Sequence, residues 1–372
     1  MNNTRNVKKI FPIELLRIIA CCMVITIHTM LPVQYGELFD SSLVLLSCII
    51  GDAVAIFWLI GGCFVFNGDV NYIKRIKKTF MRIGIPIVVF SLLWFYFEKT
   101  ALTGCSLSES FSHTKDEYFG IFRSLLRWKS PVLGYYWYLF THLFIIICFP
   151  ILHSFVRYLD EHSSAEKWFL AISILFFIIN DFCENETFYF SQNSIIAVIP
   201  ASVEMIWGHV LYKNRDKLKL KGNGLVWGGL FIFTILVRWR LQMIQYQTNG
   251  STHLLYWYSS FGIICASCLL LFSVLTFKKP SNNIVKRIVY YNGARTLFIY
   301  MIHEPVRMIL YRFGFREMLI SMTVDRFHGL PGEFFYTIGM TLTIYLLCLL
   351  FIMIFDLLHF LAKRMTPALK TE

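Results

Sequence analysis

The sequence predicts an all-α, polytopic integral membrane protein with about ten transmembrane helices in one bundle and both termini in the cytosol. Of its 372 residues, 56% are hydrophobic and only 16% are charged, whereas a typical soluble domain is about one quarter charged. The mean hydropathy of +0.58 agrees with a chain solvated mainly by lipid. We interpret residues 1–372 as a single membrane domain, because no linker separates a soluble part.

Ten apolar stretches approach the roughly 20 residues that a helix needs to cross a bilayer. The first of them carries Glu14, Arg17 and His28, which is unlike a cleaved signal peptide, so we interpret it as a helix that stays in the membrane. In chain order, the stretches are residues 10–31, 43–66, 79–97, 133–153, 167–180, 193–212, 224–244, 254–277, 288–311 and 334–361.

The distribution of the 35 Lys and Arg residues predicts the orientation of these helices. Basic clusters at 74–82 and 213–221 fall on the same side as the N-terminus, whereas the intervening loops at 31–42, 181–192 and 245–253 contain no Lys or Arg. Cytosolic loops of membrane proteins are enriched in these two residues. The net charge of +12 is therefore a topology signal, and we expect no nucleic-acid partner.

The ten cysteines give no clear framework. Cys265 and Cys268 have C-x-x-C spacing, but without a second pair or a nearby histidine we expect core residues and no metal site. Cys105 and Cys183 lie in different outer loops and would form a disulfide only if the fold brings them together.

Helix one contains the most informative polar residues. Arg17 and His28 are eleven residues apart, so they lie on nearly the same helix face, separated by roughly 16 Å along the axis. Glu14 precedes Arg17 by three residues and can pair with it. The alternative is that Glu14 and Arg17 snorkel to the inner headgroups while His28 caps the outer end.

A second polar group lies on the helix predicted at 288–311. Tyr300, His303 and Glu304 fall about two-thirds of the way across from its cytosolic end, at a depth that His303 can share with His28. Ionisable residues inside a bilayer are costly, so each is a functional candidate. Other candidates, for which a structural role is the alternative, are Asp52, His142, Glu204, His209, Arg238 and Arg240.

Glu14, Arg17 and His28 resemble the Arg-x10-His signature of the membrane-bound acyltransferase type 3 family. Ile60, Gly61 and Gly62 replace the Ser-Gly pair common in that family, which keeps close helix packing but removes a hydroxyl. Further segments that follow the family's order are FWLIGGCFVF at 57–66, KRIKKTFMRIGIP at 74–86, YWYLFTHLFIIICFP at 136–150, EMIWGHVL at 204–211 and NGARTLFIYMIHEP at 292–305.

The resemblance implies an acyltransferase that transfers groups other than aminoacyl groups. It implies transfer of an acyl group, usually acetyl, from cytosolic acyl-CoA to a hydroxyl of a sugar or cell-surface polysaccharide precursor at the outer side. Acyl-CoA would be a co-substrate and no metal is expected. The expected partners are membrane lipids and a glycan or lipid-linked sugar acceptor, in a bacterial inner membrane or plasma membrane. The sequence does not give the oligomeric state.

The resemblance also implies roles for individual residues. His28 would act as the general base, and Tyr300 and His303 would donate hydrogen bonds to the oxyanion. We expect the outer segments at 98–132 and 312–333 to contact the acceptor as loops. The remaining expected contacts are Arg17, Glu14 and Arg82 to the acyl-CoA, and Arg238, Arg240, Glu204 and Trp137 to the acceptor.

Three other classes remain open on the sequence alone. A transporter or exporter of a small molecule or glycan also needs charged residues within a helical bundle. A haem protein would use two of His28, His142 and His303 as ligands. A scaffold without chemistry is the third alternative, although the many buried ionisable residues disfavour it.

Overall fold

The computed structural model describes residues 9–31, 41–67, 71–102, 119–120, 122–124, 127, 134–182, 197–219, 223–249 and 262–365. Within these residues all of the regular secondary structure is helical, which confirms the predicted all-α membrane fold. The α-helices are α1 (Phe11–Thr29), α2 (Ser41–Ile50), α3 (Ala53–Val65), α4 (Tyr72–Thr79), α5 (Ile85–Phe97), α6 (Trp137–Ile147), α7 (Phe149–Glu161), α8 (Ser163–Phe182), α9 (Val198–Asn214), α10 (Asn223–Asn249), α11 (Gly262–Thr276), α12 (Asn283–Gly293), α13 (Thr296–Arg312), α14 (Phe315–Phe327) and α15 (Gly329–Met365).

Each of the ten apolar stretches contains helix in the described residues. Several of these helices are too short to cross a membrane as one continuous span. In the part of the chain that the structure describes, five helical segments are long and apolar enough to cross a membrane, and a sixth is obtained if α6 and α7, which meet at an angle of 69°, form one broken span. The five are Phe11–Thr29, Ser41–Val65, Tyr72–Thr100, Gly224–Thr248 and Gly329–Leu361. The chain is thus a multi-pass membrane protein by length and composition.

The chain divides into two compact units, and the first comprises residues 1–53, 222–256 and 268–372. Within it, α1 packs against α12, α13 and α15, while α2 packs against α10. Thr26 and Thr341 share a hydrogen bond of 2.8 Å between α1 and α15. The long helix α15 also packs along α14, so α1 is held by helices that follow it by more than 250 residues.

The second unit comprises residues 54–221 and 257–267. Its helices α3 and α9 approach closely at two glycines, because a Cβ on Gly62 would lie 1.8 Å from the Met205 carbonyl oxygen and one on Gly208 would lie 2.0 Å from that of Leu59. Small residues allow this kind of contact between membrane helices. The close packing expected at Gly62 is confirmed. The core around it contains Trp58, Phe66, Ile145, Phe149, Val156, Leu159, Ala201, Met205, Ile206 and Val210.

The helix boundaries follow local sequence signals. Pro12 occupies the first turn of α1, where its missing N–H costs nothing. The side chains of Asn71 and Asn282 cap α4 and α12 by accepting hydrogen bonds from first-turn N–H groups. The stretch expected as one helix at 288–311 is instead interrupted after Gly293, and α13 begins at Thr296.

The segment at 312–333, expected to be an outer loop, is largely helical and the loop interpretation was wrong. Gly314 adopts a φ of 71° after α13, and α14 follows at once as a helix over Phe315–Phe327. A left-handed residue between helices is a position that glycine fills without steric strain. The short polar breaks in this segment therefore mark turns between helices.

Candidate functional site

The two histidines singled out in the sequence meet in the first unit. The ring centroids of His28 on α1 and His303 on α13 are 5.3 Å apart, although 275 residues separate them in the chain. His303 is fully buried, whereas His28 is partly exposed. The prediction that these imidazoles share a depth is confirmed.

The hydrogen bonding of His303 defines its tautomer when the ring is neutral. Its Nδ1 lies 2.7 Å from the carbonyl oxygen of Tyr300, which can only accept, so Nδ1 carries the hydrogen. Nε2 then presents a lone pair on the other side of the ring. The Tyr300 ring lies 5.7 Å from the His303 ring between centroids, which places the phenol beside the histidine pair.

A carboxylate adjoins this pair, held by the next turn of α13. Glu304 accepts a hydrogen bond of 2.8 Å from Nε of Arg307 and a second, short one from Nη2 of the same side chain. Both charged groups interact electrostatically with His28. The sequence pointed to Glu304 without giving it a role, and it missed Arg307; the spacing of three residues in EPVR was the available signal.

At the other end of α1, Glu14 and Arg17 form the ion pair expected from their spacing. Nη1 of Arg17 donates to Oε1 of Glu14 at 2.9 Å. Glu14 is buried against Gly293, where an added Cβ would lie 2.3 Å from its Oε2. The guanidinium of Arg17 stays partly exposed, so the pair holds the arginine without enclosing it.

Arg238, expected to contact the acceptor, lies in a buried ion pair. Its Nη1 donates to Oδ2 of Asp52 at 2.6 Å and to the carbonyl oxygen of Cys48 at 3.2 Å. Both charged side chains are 1% exposed. Binding of a ligand by Arg238 would require this pair to open. Arg240, two residues later, is exposed.

The other three expected site residues belong to the second unit. Glu204 on α9 is fully buried, and Trp137, the first residue of α6, is partly exposed. Arg82 is exposed in a π-helical turn over Phe80–Gly84. Such turns recur at functional positions of helices, but here the role of Arg82 stays a prediction.

The end of α9 carries a charged network of which the sequence indicated only His209. His209 Nε2 donates to the Asp160 carboxylate at 3.1 Å, and Lys213 Nζ contacts Asp160 at 2.6 Å and Glu166 at 3.0 Å. Burial opposes the charged form of Lys213, but hydrogen bonds to the two carboxylates outweigh it and raise the pKa of Lys213. The network joins α7, α8 and α9.

Some expectations fall on other parts of the chain. Cys105 and Cys183, and most of the predicted outer segment at 98–132, lie outside the described residues. Cys265 and Cys268 are buried in α11, in agreement with the expected core role.

The helices and the histidine pair define a multi-pass α-helical membrane protein with groups suited to proton transfer. The acyltransferase domain that characterises the acyltransferase type 3 family matches residues 12–359. The chain belongs to this family and is a membrane acyltransferase, as the resemblance in helix one implied. No curated protein matches the chain. A search of the solved structures also found no match.

Proposed function

We propose that this acyltransferase moves an acyl group, in the first instance acetyl, from cytosolic acyl-CoA to a hydroxyl of a sugar acceptor at the outer side of the membrane. The observation that supports this most directly is the imidazole pair of His28 and His303 with a carboxylate beside it. Acyl transfer to a hydroxyl needs a base whose pKa lies near the working pH, and imidazole supplies one.

In the proposed reaction, His28 removes the proton of the acceptor hydroxyl while the oxygen attacks the thioester carbonyl carbon. The C–O bond forms, the C–S bond breaks, and the CoA thiolate leaves and takes up the proton from His28. Glu304 stabilises the imidazolium that exists between these two proton transfers. The negative charge of the tetrahedral intermediate needs a hydrogen-bond donor, and the Tyr300 hydroxyl is the proposed one.

His303 has a different part in this proposal from the one the sequence suggested. Its Nδ1–H is engaged by the Tyr300 carbonyl, so the neutral ring offers a lone pair at Nε2 and cannot also donate there. His303 therefore supports His28 as a proton acceptor or hydrogen-bond partner. It would donate to the oxyanion only as an imidazolium.

The donor would bind along α1. Arg17 is partly exposed and is held by Glu14, so its remaining N–H groups can contact a CoA phosphate. The residues of α1 between Arg17 and His28 span roughly 16 Å along the helix axis. The pantetheine arm would run beside this helix from a cytosolic Arg17 to the histidine pair. Arg82 is a further proposed contact to the donor.

This direction depends on the proposed topology of ten crossings with both termini in the cytosol. The alternation of basic loops supports it, and each of the ten apolar stretches contains helix. Reporter fusions at the C-terminus and after Gly314 should report opposite sides of the membrane. The same side for both would contradict the proposed orientation of α13 and α15.

The proposed reaction is tested with purified protein in liposomes, labelled acetyl-CoA and a panel of saccharides. We expect acceptor-dependent release of CoA, and a loss of at least about a hundredfold in kcat for His28→Ala. The matched control is His162→Ala, an exposed histidine of the other unit, which should retain wild-type turnover. A transporter would release no CoA, and near-normal turnover of His28→Ala would exclude His28 as the base.

A further inference from the structure

Two arginines and a tyrosine form a cluster where α13 ends and α14 begins. The guanidinium carbon of Arg307 lies 4.7 Å from the ring centroid of Tyr311, and that of Arg316 lies 5.5 Å from it. Gly314, with its φ of 71°, turns the chain so that residues from both helices contact the same ring. We call Arg307, Tyr311 and Arg316 the arginine cluster.

The arginine cluster adjoins the histidine pair through two contacts. Arg307 holds Glu304, and both interact electrostatically with His28. Tyr336 on α15 interacts with Tyr311 and Arg316, and its hydroxyl donates to the carbonyl oxygen of Thr29 at 3.1 Å. Thr29 follows His28 directly, so the cluster lies at the end of α1 that carries the proposed base.

Among the described residues, the charges around the cluster do not balance. Glu304 compensates Arg307. Arg316 approaches Glu317 only to 3.9 Å, and Glu317 is 65% exposed, which is a weak, solvent-screened contact. The sequence from 307 to 316 contains three arginines and no acidic residue. Arg316 is 31% exposed at its side chain, so its charge is available to a ligand.

We propose that the arginine cluster binds an anionic group of the saccharide acceptor, a carboxylate or a phosphate, and thereby positions one of its hydroxyls at His28. This inference rests on the proposed function. A guanidinium placed over an aromatic ring keeps its plane fixed and leaves N–H groups at its edge for an oxyanion. Arg316 provides this contact, and Arg307 joins the bound anion to Glu304 and the histidine pair.

Binding is measured directly, because it needs no turnover. The protein is placed in nanodiscs of zwitterionic phosphatidylcholine, and three probes are compared: methyl glucuronide, methyl glucoside and glucose 6-phosphate. The first two share their ring hydroxyls and differ in the carboxylate. We expect methyl glucuronide or glucose 6-phosphate to bind at least about tenfold more tightly than methyl glucoside, in line with charge-assisted hydrogen bonds. The stronger of the two anionic probes identifies the group.

Variants assign the preference to Arg316. Arg316→Gln should remove the preference for the anionic probe without changing the affinity for methyl glucoside, and Arg316→Lys should retain part of it. The control is Arg287→Gln, an exposed arginine of α12 that should leave all affinities unchanged. Arg316 is partly exposed and also contacts Tyr311 and Tyr336, so the thermal unfolding temperature of both variants is measured, and affinities are compared at a temperature at which all of them are folded.

Equal affinities for the charged and neutral probes, no binding of either anionic probe, or an unchanged preference in Arg316→Gln would overturn the proposal. If the binding preference is present but no acetyl transfer occurs, the proposed reaction fails while the anion site stands. If acetyl transfer occurs without a binding preference, the proposed reaction stands and the anion site fails.

Discussion

Removing one partner of the buried Asp52 and Arg238 pair should strongly destabilise the protein. Each side chain is 1% exposed, and the 2.6 Å hydrogen bond joins them. In Asp52→Leu, the guanidinium would remain buried without its carboxylate. Breaking such a pair from one side costs about 3–5 kcal/mol, which lowers the ratio of folded to unfolded protein by roughly a hundredfold to several thousandfold.

A double-mutant cycle separates the pair from its surroundings. Arg238→Met also loses the hydrogen bond to Cys48, one of the last carbonyls of α2. The combined variant Asp52→Leu with Arg238→Met replaces both charges by apolar groups, so we expect it to be within about 1–2 kcal/mol of the wild type. Arg240→Met is the matched control, since that side chain is exposed.

The assay is unfolding by SDS titration in mixed micelles, followed by tryptophan fluorescence. A cost below about 1 kcal/mol for Asp52→Leu would refute the reasoning, because it would mean that water or another group already satisfies the arginine. The combined variant also tests the expected acceptor contact of Arg238. We expect its KM for the acceptor to stay within about twofold of the wild type; a larger increase at normal stability would support ligand binding by Arg238.

Two further substitutions test close packing and donor binding. Gly62→Ala should lower the thermal unfolding temperature in detergent, because its Cβ would lie 1.8 Å from the Met205 backbone oxygen, whereas Gly229→Ala, with nothing within 4 Å, should not; equal temperatures would contradict the contact. Glu14→Gln should raise the KM for acetyl-CoA several-fold at unchanged kcat, because Arg17 loses the carboxylate that holds it, and an unaltered KM would remove this pair from donor binding.

The parts of the site that depend on one helix could be predicted from the sequence. The Glu14 and Arg17 pair follows from a spacing of three residues, which fixes two side chains on one helical face wherever the helix lies. The membrane class follows from composition, because lipid requires long apolar helices. The approach of His28 to His303 was predictable only in depth, since the rise per residue gives height along a helix but not the rotation of one helix about another.

The rest of the site required the tertiary structure. Asp52 and Arg238 are 186 residues apart, and no local pattern indicates that they pair. The arginine cluster depends on the turn at Gly314, in a segment whose sequence was expected to form a loop. The sequence by itself determined that this chain is a helical membrane protein with polar residues on particular helix faces, because periodicity is local. Which faces meet was decided by the packing of helices distant in the chain, since that depends on the shape of the whole helix surface.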